Sequence, residues 1–407
     1  MKVTVLGETR PDERRVALVP DTVKDMKKAG IEVVVQAGAG QRSSFPDELY
    51  REVGATIAPD ARAAVQGTDV VLKVQPPSEA ELGLLNKGVL LISLLNPLGD
   101  AATAKCIADK GVSAFALELV PRTTRAQSMD VLSSQAMVAG YKAVLLAADT
   151  IPKFLPMFMT AAGTIRPAKA LVLGAGVAGL QAIATARRLG AKVEAFDVRA
   201  AVKEQVQSLG ATFLETEQEV TAEGEGGYAK ELSEEQHKRE LELIAKHIKD
   251  ADIVITTAQI PGRPAPLLVT EEMIASMKPG SVLVDLAAES GGNVAGSKPG
   301  ETVQKNGVTI LGPANLPSTI PYHASQMFSK NAWTFLKEMV KKDEGVVVDL
   351  ANDVVGPTCL THQGEVRNER VRQQLGLGPL PAPVGPGATA TTGTGSSVGT
   401  SPSASTR

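Results

Sequence analysis

A chain of 407 residues is longer than one ordinary domain and predicts two or three domains. With 43% hydrophobic and 21% charged residues, it can bury sizeable cores as globular proteins do. The net charge of −3 and an aromatic content of 3% exclude the basic face and stacking platform of a nucleic-acid-binding protein. The two cysteines lie far apart and exclude a disulfide framework, and with four scattered histidines we expect no metal site.

The first third of the chain alternates short apolar runs with helical patterns, which is typical of βαβ units and parallel sheets. Strands are predicted at residues 3–6, 32–36, 70–74, 89–94 and 114–116, and helices at 21–29, 46–53 and 101–110. Glycines mark the junctions, where a positive φ is needed: Gly30, Gly54, Gly88 and Gly111. We expect one domain over residues 1–130, completed by about residues 320–375. The chain opens directly into a strand, so no signal peptide is expected.

A second domain, which binds NAD(H), is predicted over residues 131–319. It begins with a helix at 133–148 and continues with a strand at 170–173, a helix at 177–189, a strand at 192–196 and a helix at 200–209. Further strands are predicted near 253–256, 282–285 and 308–311, and a helix at 325–340 is expected to return to the first domain. The predicted fold class is α/β, with two Rossmann-like doubly wound domains.

Three segments depart from this pattern. Polar residues and prolines interrupt the apolar stretch 143–163, so it does not qualify as a membrane span. Residues 215–233 form an acidic, glycine-rich insertion around Tyr228, whose composition predicts a mobile loop. Residues 376–407 are rich in Pro, Gly, Ser and Thr and predict a disordered tail.

The turn from Gly174 to Gly179 predicts a dinucleotide site, because it follows a predicted strand and opens a predicted helix. Gly174 permits the tight turn, Gly176 lets the backbone approach a pyrophosphate, and Gly179 allows close packing of helix on strand. The helix N-terminus then presents N–H groups to the phosphates. The next strand ends at Asp197, whose carboxylate is expected to bind the adenosine ribose hydroxyls and to repel a 2′-phosphate. NAD(H) is therefore favoured over NADP(H), although Arg199 would tolerate that phosphate.

The segment RTTRAQSMD at residues 122–130, followed by SSQ at 133–135, resembles the loop that marks the NAD(H)-binding component of proton-translocating nicotinamide nucleotide transhydrogenases. The similarity extends over residues 159–164, 174–189, 197–200, 226–230, 256–266 and 285–287, and so over most of residues 1 to about 370. The segment at residues 122–130 is far more specific for this family than the glycine turn is. The resemblance implies two Rossmann-like domains per chain, NAD(H) bound in the second domain at the cleft, and a homodimer.

By this resemblance, NADH on the chain gives its hydride directly to NADP+ held by a separate subunit, without metal or flavin. Arg122, Asp130 and Ser133 would hold the nicotinamide and its carboxamide, and Gln127 would reach toward the NADP(H) partner. Tyr228 would belong to a loop that closes on the nucleotide and excludes water. The expected cofactor-binding residues are Gly174, Ala175, Gly176, Val177, Ala178, Gly179, Asp197, Val198, Arg199, Tyr228, Ala258, Gln259 and Ile260. From the residues alone, Asp130 and Ser133 equally suit a helix cap.

The sequence also resembles alanine dehydrogenases, which gives a rival interpretation. Arg15 and Lys73 match that family's substrate arginine and lysine, but its catalytic histidine aligns with Asn96 and its catalytic aspartate with Glu289. Because an amide cannot titrate near neutral pH, Asn96 argues against alanine oxidation. Hydride exchange between two nicotinamides needs no acid–base pair, and we expect none. Arg15 and Lys73 then become surface or ion-paired cations.

A third interpretation is a non-catalytic NAD(H)-sensing module, which would not need the partner-facing Gln127. The transhydrogenase family couples hydride transfer to proton translocation through membrane helices, and the sequence predicts none here. The resemblance therefore implies one piece of a split alpha chain, with an NADP(H)-binding beta subunit and a small membrane subunit as partners. We expect a cytoplasmic protein that is peripheral to the membrane through these subunits and binds no nucleic acid.

Overall fold

The computed structural model describes residues 1–215, 233–260, 262–341 and 344–380. It contains two parallel-dominated sheets with helices packed around them, which confirms the predicted α/β class with two Rossmann-like domains. Tyr228 and the segment 381–407 lie outside the described residues, so the predictions of a mobile loop and of a disordered tail stay predictions.

The first α/β unit alternates strands and helices from the start of the chain. Its elements are β1 (Lys2–Val5), α1 (Pro20–Lys28), β2 (Glu32–Gln36), α2 (Asp47–Glu52), β3 (Thr56–Ala58), α3 (Ala61–Ala64), β4 (Val70–Leu72), α4 (Glu79–Leu84), β5 (Leu90–Ser93), α5 (Ala101–Asp109) and β6 (Ser113–Ala116). Strands β4, β5 and β6 are buried along their whole length, because helices cover both faces of a parallel sheet. The four junction glycines have the predicted positive φ, between 67° at Gly111 and 90° at Gly88.

The second unit contains the glycine turn. Its elements are α6 (Val131–Thr150), β7 (Phe158–Thr160), β8 (Gly163–Ile165), β9 (Lys169–Leu173), α7 (Val177–Arg188), β10 (Lys192–Phe196), α8 (Lys203–Ser208), β11 (Thr212–Phe213), α9 (Glu234–Ile248), β12 (Ile253–Thr256), α10 (Glu271–Ser276), β13 (Val282–Asp285), β14 (Thr302–Lys305) and β15 (Val308–Leu311). The helix predicted at 200–209 is divided into a 3-10 turn, Ala200–Val202, and α8.

The last stretch of the described chain returns to the first unit. Its elements are α11 (Pro321–Lys337), β16 (Val340–Lys341), β17 (Gly345–Val346), α12 (Val355–Thr358), β18 (Cys359–His362), β19 (Glu365–Val366) and α13 (Glu369–Gln374). Strand β18 pairs antiparallel with β6, and β19 adds the edge. Phe328, Phe335 and Leu336 of α11 join the core of the first unit, as expected for a returning helix.

The two sheets share one doubly wound order. The first sheet runs β3-β2-β1-β4-β5-β6-β18-β19, and the second runs β11-β10-β9-β12-β13-β15-β14. In each sheet the strand order reverses beside the first strand of the unit, between β1 and β4 and between β9 and β12. Ligands of such sheets bind outside the carboxyl ends of the strands at this reversal. The fold therefore places candidate binding crevices at the loops after β9 and β1.

Helix α6 connects the two units and packs against both α7 and α11. A Cβ on Gly140 would lie 2.0 Å from the carbonyl oxygen of Ala178, so only glycine lets α6 approach the first turn of α7. Among the described helices, α6 is the one with the length and hydropathy of a membrane span, and 39% of that apolar window is buried inside the protein. Its buried Val138, Ala143 and Val144 make it a packing helix between the units.

Candidate functional site

The glycine turn joins β9 to α7 as the sequence predicts. Gly174 has φ +96°, and a Cβ there would lie 2.5 Å from Oγ1 of Thr257. A Cβ on Gly179 would lie 1.8 Å from the carbonyl oxygen of Gly174, so helix and strand pack too closely for any side chain. Gly176 differs from both, since the nearest atom to its Cβ position is Nη2 of Arg199 at 3.9 Å. The space above Gly176 is open to an incoming group.

The first turn of α7 presents its N–H groups at this opening. Gly176 is the N-cap residue, and no side chain caps the helix. The amide of Leu180 already bonds the carbonyl oxygen of Gly176 at 2.8 Å, which leaves the earlier N–H groups of the turn as donors. An anion such as a pyrophosphate is stabilised there by these donors and by the helix dipole. The residues of the turn thus fit a dinucleotide.

Asp197 ends β10 beside the turn, where the sequence predicts it. Its Oδ2 accepts the N–H of Ala175 at 2.7 Å, and Oδ1 accepts the backbone N–H of Arg199 at 2.9 Å. The guanidinium of Arg199 also binds both oxygens, through Nε and Nη2 at 2.8 Å each. Arg199 is therefore held by the carboxylate rather than presented toward a 2′-phosphate. The preference for NAD(H) over NADP(H) stays a prediction.

A pocket of about 450 Å³ lies beside Asp197 and Val198. Its other walls come from Phe196, from the start of α8 and from Phe213 to Glu215. Apolar walls on two sides with a carboxylate at the edge suit a planar base attached to a ribose. Lys203 and Glu215 form an ion pair across this pocket at 2.6 Å.

The loop after β12 contains Ala258, Gln259 and Ile260 on the other side of the turn. Asn293, which is fully buried, accepts the N–H of Ala258 and donates to the carbonyl oxygens of Ala258 and Pro266. The side chain of Gln259 donates to the carbonyl oxygen of Leu286 at 2.9 Å. Sequence reasoning missed Asn293, because an asparagine 35 residues away gives no local signal that it braces this loop.

The segment 122–133 forms the entry to α6. Asp130 is the N-cap of that helix, with Oδ1 accepting the N–H of Ser133 at 2.8 Å and Oδ2 accepting its hydroxyl at 2.6 Å. The capping interpretation of these two residues is thus confirmed. Their predicted contact with a nicotinamide stays a prediction. Arg122 and Gln127 are exposed, Gln127 on a short 3-10 turn. Both are therefore accessible to a partner.

A cleft of about 460 Å³ lies between the two units. Leu132, Gln135 and Ala139 of α6 form one wall, and Ala178, Thr257 and Leu286 face it from the second unit. The first unit contributes Gln75, Asn96 and Glu118, among other residues. Ala178 of the glycine turn therefore forms part of the cleft wall. Asp130 and Ser133 flank the lining residues Val131 and Leu132 in the first turn of α6.

Arg15 and Lys73 are both ion-paired and buried, so the expectation of ion pairs is confirmed and that of a surface position is wrong. Arg15 donates to both oxygens of Glu13 at 2.8 and 2.6 Å, to Gln135 at 2.9 Å and to Asn315 at 3.0 Å. Burial alone would raise the pKa of Glu13, but the hydrogen bonds and charge of Arg15 lower it to about 2. This network joins the two units through their side chains.

Lys73 is fully buried and lies outside the cleft wall. Its Nζ donates to Glu81 at 2.7 Å and to the carbonyl oxygen of Gly7 at 3.1 Å, and it is 3.7 Å from Glu8. Burial raises the pKa of Glu8 to about 7 against the opposing charge of Lys73. A substrate carboxylate would have to displace these partners, which is costly for buried charges.

The expectation that the reaction needs no acid–base pair stays a prediction, but the cleft does contain one buried carboxyl group. Asn96 has a left-handed φ of +47°, and its backbone N–H donates to Oε1 of Glu118 at 2.6 Å. Burial raises the pKa of Glu118 to about 7, so this carboxyl group titrates near neutrality. Sequence reasoning could not find it, because desolvation depends on the packing around a side chain and not on its neighbours in the chain.

The comparisons with known proteins follow the division into two units. The N-terminal domain model of the alanine dehydrogenase/PNT family matches residues 4–139, and its C-terminal domain model matches residues 143–369. A relative from Rhodospirillum rubrum, named as the first portion of NAD(P) transhydrogenase subunit alpha, is 49% identical over 374 residues. The match covers 90% of this chain and 97% of the relative.

Two further similarities separate the branches of the family. The crystal structure of the transhydrogenase from Sinorhizobium meliloti superimposes with a TM-score of 0.80 at 47% identity, covering 91% of this chain and 99% of that one. The alanine dehydrogenase of Mycobacterium tuberculosis is 29% identical over 388 residues, covering 93% and 97%. The transhydrogenase branch is therefore the nearer one.

Proposed function

This chain belongs to the alanine dehydrogenase/PNT family, and we propose that within it the protein is the NAD(H)-binding component of a transhydrogenase alpha subunit. NADH on this chain exchanges a hydride directly with NADP+ on a separate subunit. Separate membrane subunits couple the exchange to proton translocation. The observation that carries the proposal is the glycine turn, closed at Gly174 and Gly179 and open at Gly176, in a chain 49% identical to such a subunit.

The nucleotide site is assigned from the contacts around that turn. The N–H groups of residues 176–179 would hold the pyrophosphate, and Asp197 would bind the adenosine ribose. Val198 and Arg199 would border the ribose, and residues 258–260 would border the nucleotide after β12. Tyr228 keeps its proposed role in a loop that closes on the nucleotide. The N–H of Ala175 and the guanidinium of Arg199 fix the Asp197 carboxylate in place, and the ribose hydroxyls would have to share or displace the Arg199 contact.

The nicotinamide, when bound, supplies or accepts the hydride at its ring, and the protein's role is to orient that ring. Arg122, Asp130 and Ser133 would hold the carboxamide, while the exposed Gln127 would reach the partner's nucleotide. Direct transfer requires the two rings to approach within roughly 3–3.5 Å, so the rigid cap of α6 is a suitable support. No residue has to remove a proton from oxygen or nitrogen in this step.

The alternative, an alanine dehydrogenase, is disfavoured by the first unit. Lys73 is fully buried and bonded to Glu81, Gly7 and Glu8, and Arg15 is held by Glu13. Neither cation is available to a substrate carboxylate without breaking buried ion pairs. A sensing module is disfavoured because Gln127 is exposed on the short 3-10 turn that precedes α6. A sensor would not need a glutamine that faces a partner subunit there.

A homodimer is supported by an exposed apolar surface. Strands β7 and β8 form a two-stranded ribbon whose residues are all exposed, with Met159 78% exposed and Phe158 41%. Met137 and Tyr141 of α6 are also exposed, one helical turn apart. A ribbon of this length is not stable alone in water, and exposed apolar residues on such a ribbon are typical of an interface. A second copy of the chain would bury it through a symmetric contact.

The remaining partners are an NADP(H)-binding beta subunit and a small membrane subunit. The name of the Rhodospirillum rubrum relative describes one portion of subunit alpha, which supports a split alpha chain with the membrane helices on other chains. We place the protein in the cytoplasm, peripheral to the membrane through these subunits. Its own cofactor is NAD(H), with NADP(H) on the beta subunit and neither metal nor flavin in the reaction.

The proposal is tested by mixing the purified chain with the NADP(H)-binding domain of a transhydrogenase and following reduction of an NAD analogue by NADPH. Turnover is expected, and Gln127→Ala should lower it strongly while leaving NADH affinity unchanged. Thr124→Ala, an exposed change in the same segment, is the matched control. Tight NADH binding without turnover would overturn the proposal. Turnover of alanine with NAD+ alone would establish the alternative.

A further inference from the structure

Glu118 lies in the wall of the cleft, on the 3-10 turn Leu117–Leu119 that follows β6. Its Oε1 accepts the backbone N–H groups of Leu95 and Asn96, at 2.8 and 2.6 Å. Its Oε2 is buried and has no hydrogen-bond partner among the described residues. One half of this carboxyl group is thus fixed to the loop after β5, and the other half is unsatisfied.

The charged groups around the cleft leave Glu118 without a counterion. Arg15 is bound to Glu13, Glu289 accepts the N–H of Asn315, and Arg10 and Asp12 are exposed lining residues. No cation in the described part of the chain is within hydrogen-bond or ion-pair distance of Glu118. A carboxylate in such a place is stabilised only by backbone amides, those of Leu95, Asn96 and Glu118 itself, and its neutral form is favoured by burial.

Because Glu118 lines the cleft, a ligand that binds in the cleft can change whether Glu118 is protonated. The same cleft is lined by Ala178 of the glycine turn and by Thr257 and Leu286 after β12 and β13. A nucleotide on the turn would fill the cleft and exclude solvent from its walls. Excluding solvent raises the cost of the ionised form of Glu118, whereas the neutral form carries no charge that has to be desolvated.

We propose that Glu118 is a proton-binding residue of the nucleotide cleft, which takes up a proton when NADH binds and remains neutral while the nucleotide is in place. The inference rests on the proposed NAD(H) site but not on the identity of the hydride acceptor. Its consequence is that NADH affinity decreases as pH rises above neutrality. Linkage limits this decrease to tenfold per pH unit for a single group.

The test measures the Kd of NADH by calorimetry from about pH 6 to about pH 9, on the full chain, in two buffers of different ionisation enthalpy. For the unmodified protein we expect the Kd to rise at least about fivefold over this range, with net proton uptake above pH 7. Glu118→Gln, which resembles the neutral carboxyl, should give a nearly constant Kd and no uptake. Glu32→Gln, an exposed change at the start of β2, should keep the pH dependence of the unmodified protein.

Three results would overturn the inference. A Kd that is constant with pH in the unmodified protein would refute it, as would a pH dependence retained in Glu118→Gln. The second result would transfer the effect to another group such as Glu8, whose pKa is also about 7. Absence of NADH binding would refute the proposed function as well, so the two failures are distinguishable. If Glu118→Gln does not fold, Glu8→Gln tests the other carboxyl group with a pKa of about 7: proton uptake retained in that variant supports Glu118, and its loss refutes the inference.

Discussion

Alanine substitutions at two glycines of the turn should have different effects, because a methyl group would collide with the backbone at Gly179 but would enter open space at Gly176. In Gly179→Ala the new Cβ would lie 1.8 Å from the oxygen and 2.8 Å from the carbon of the Gly174 carbonyl. These are backbone atoms of the turn, so α7 and β9 must separate. Such overpacking costs about 1–3 kcal/mol, and we expect a clearly lower Tm together with weaker NADH binding.

In Gly176→Ala the new Cβ meets only Nη2 of Arg199 at 3.9 Å, and φ is −72°, which any residue adopts. Alanine is a poorer N-cap than glycine by about 0.5–1 kcal/mol, but it lowers the entropy of the unfolded chain by about as much. The free energy of unfolding should therefore change by less than about 0.5 kcal/mol. The methyl group would nonetheless occupy the space proposed for the pyrophosphate.

Thermal unfolding and calorimetric titration with NADH separate the two effects. We expect Gly176→Ala to unfold near the Tm of the unmodified protein and to bind NADH at least about tenfold more weakly, which corresponds to about 1.4 kcal/mol. Gly179→Ala should lose both stability and affinity. Unchanged NADH affinity in Gly176→Ala would refute the assignment of the open space to the pyrophosphate. A Gly179→Ala protein as stable as the unmodified one would refute the packing argument.

Three further predictions concern selectivity, pH and assembly. Asp197→Asn should narrow the preference for NADH over NADPH by about tenfold or more, since it removes the charge that repels a 2′-phosphate. If calorimetry gives the variant and the unmodified protein the same ratio of NADPH Kd to NADH Kd, Asp197 is not the residue that selects NADH. Glu13 has a folded-state pKa of about 2 against an ordinary value of 4.5, so its contribution to stability is present above that ordinary value and is lost as pH falls toward 2. The Tm deficit of Glu13→Gln should accordingly shrink on acidification, and a deficit independent of pH would contradict the ion-pair argument. Met159→Asp should convert a dimer to monomers in sedimentation experiments, whereas the exposed change Glu32→Gln should not; a monomeric unmodified protein would refute the proposed interface.

Short-range signals in the sequence predicted the local structure well. The alternation of apolar runs and helical patterns predicted two doubly wound sheets, and both are present with their order reversing beside the first strand. Gly174, Gly176 and Gly179 could be assigned separate roles because a turn, a close approach and a helix–strand contact each depend on a few adjacent residues. Asp130 was interpretable as a cap for the same reason, and the bond to Ser133 confirms it.

The features that only the tertiary structure decided are those that join distant regions of the chain. Arg15 meets Gln135 and Asn315, which lie 120 and 300 residues away, and so becomes a bridge between the two units. Glu118 titrates near neutrality because folding removes its water and supplies no cation. The sequence by itself determined the fold class, the position of the dinucleotide turn and the family resemblance, since these are encoded in short segments and their spacing. Burial, ion pairing and pKa depend on which surfaces meet when the two sheets and α6 pack, and the packing of the whole chain decides them.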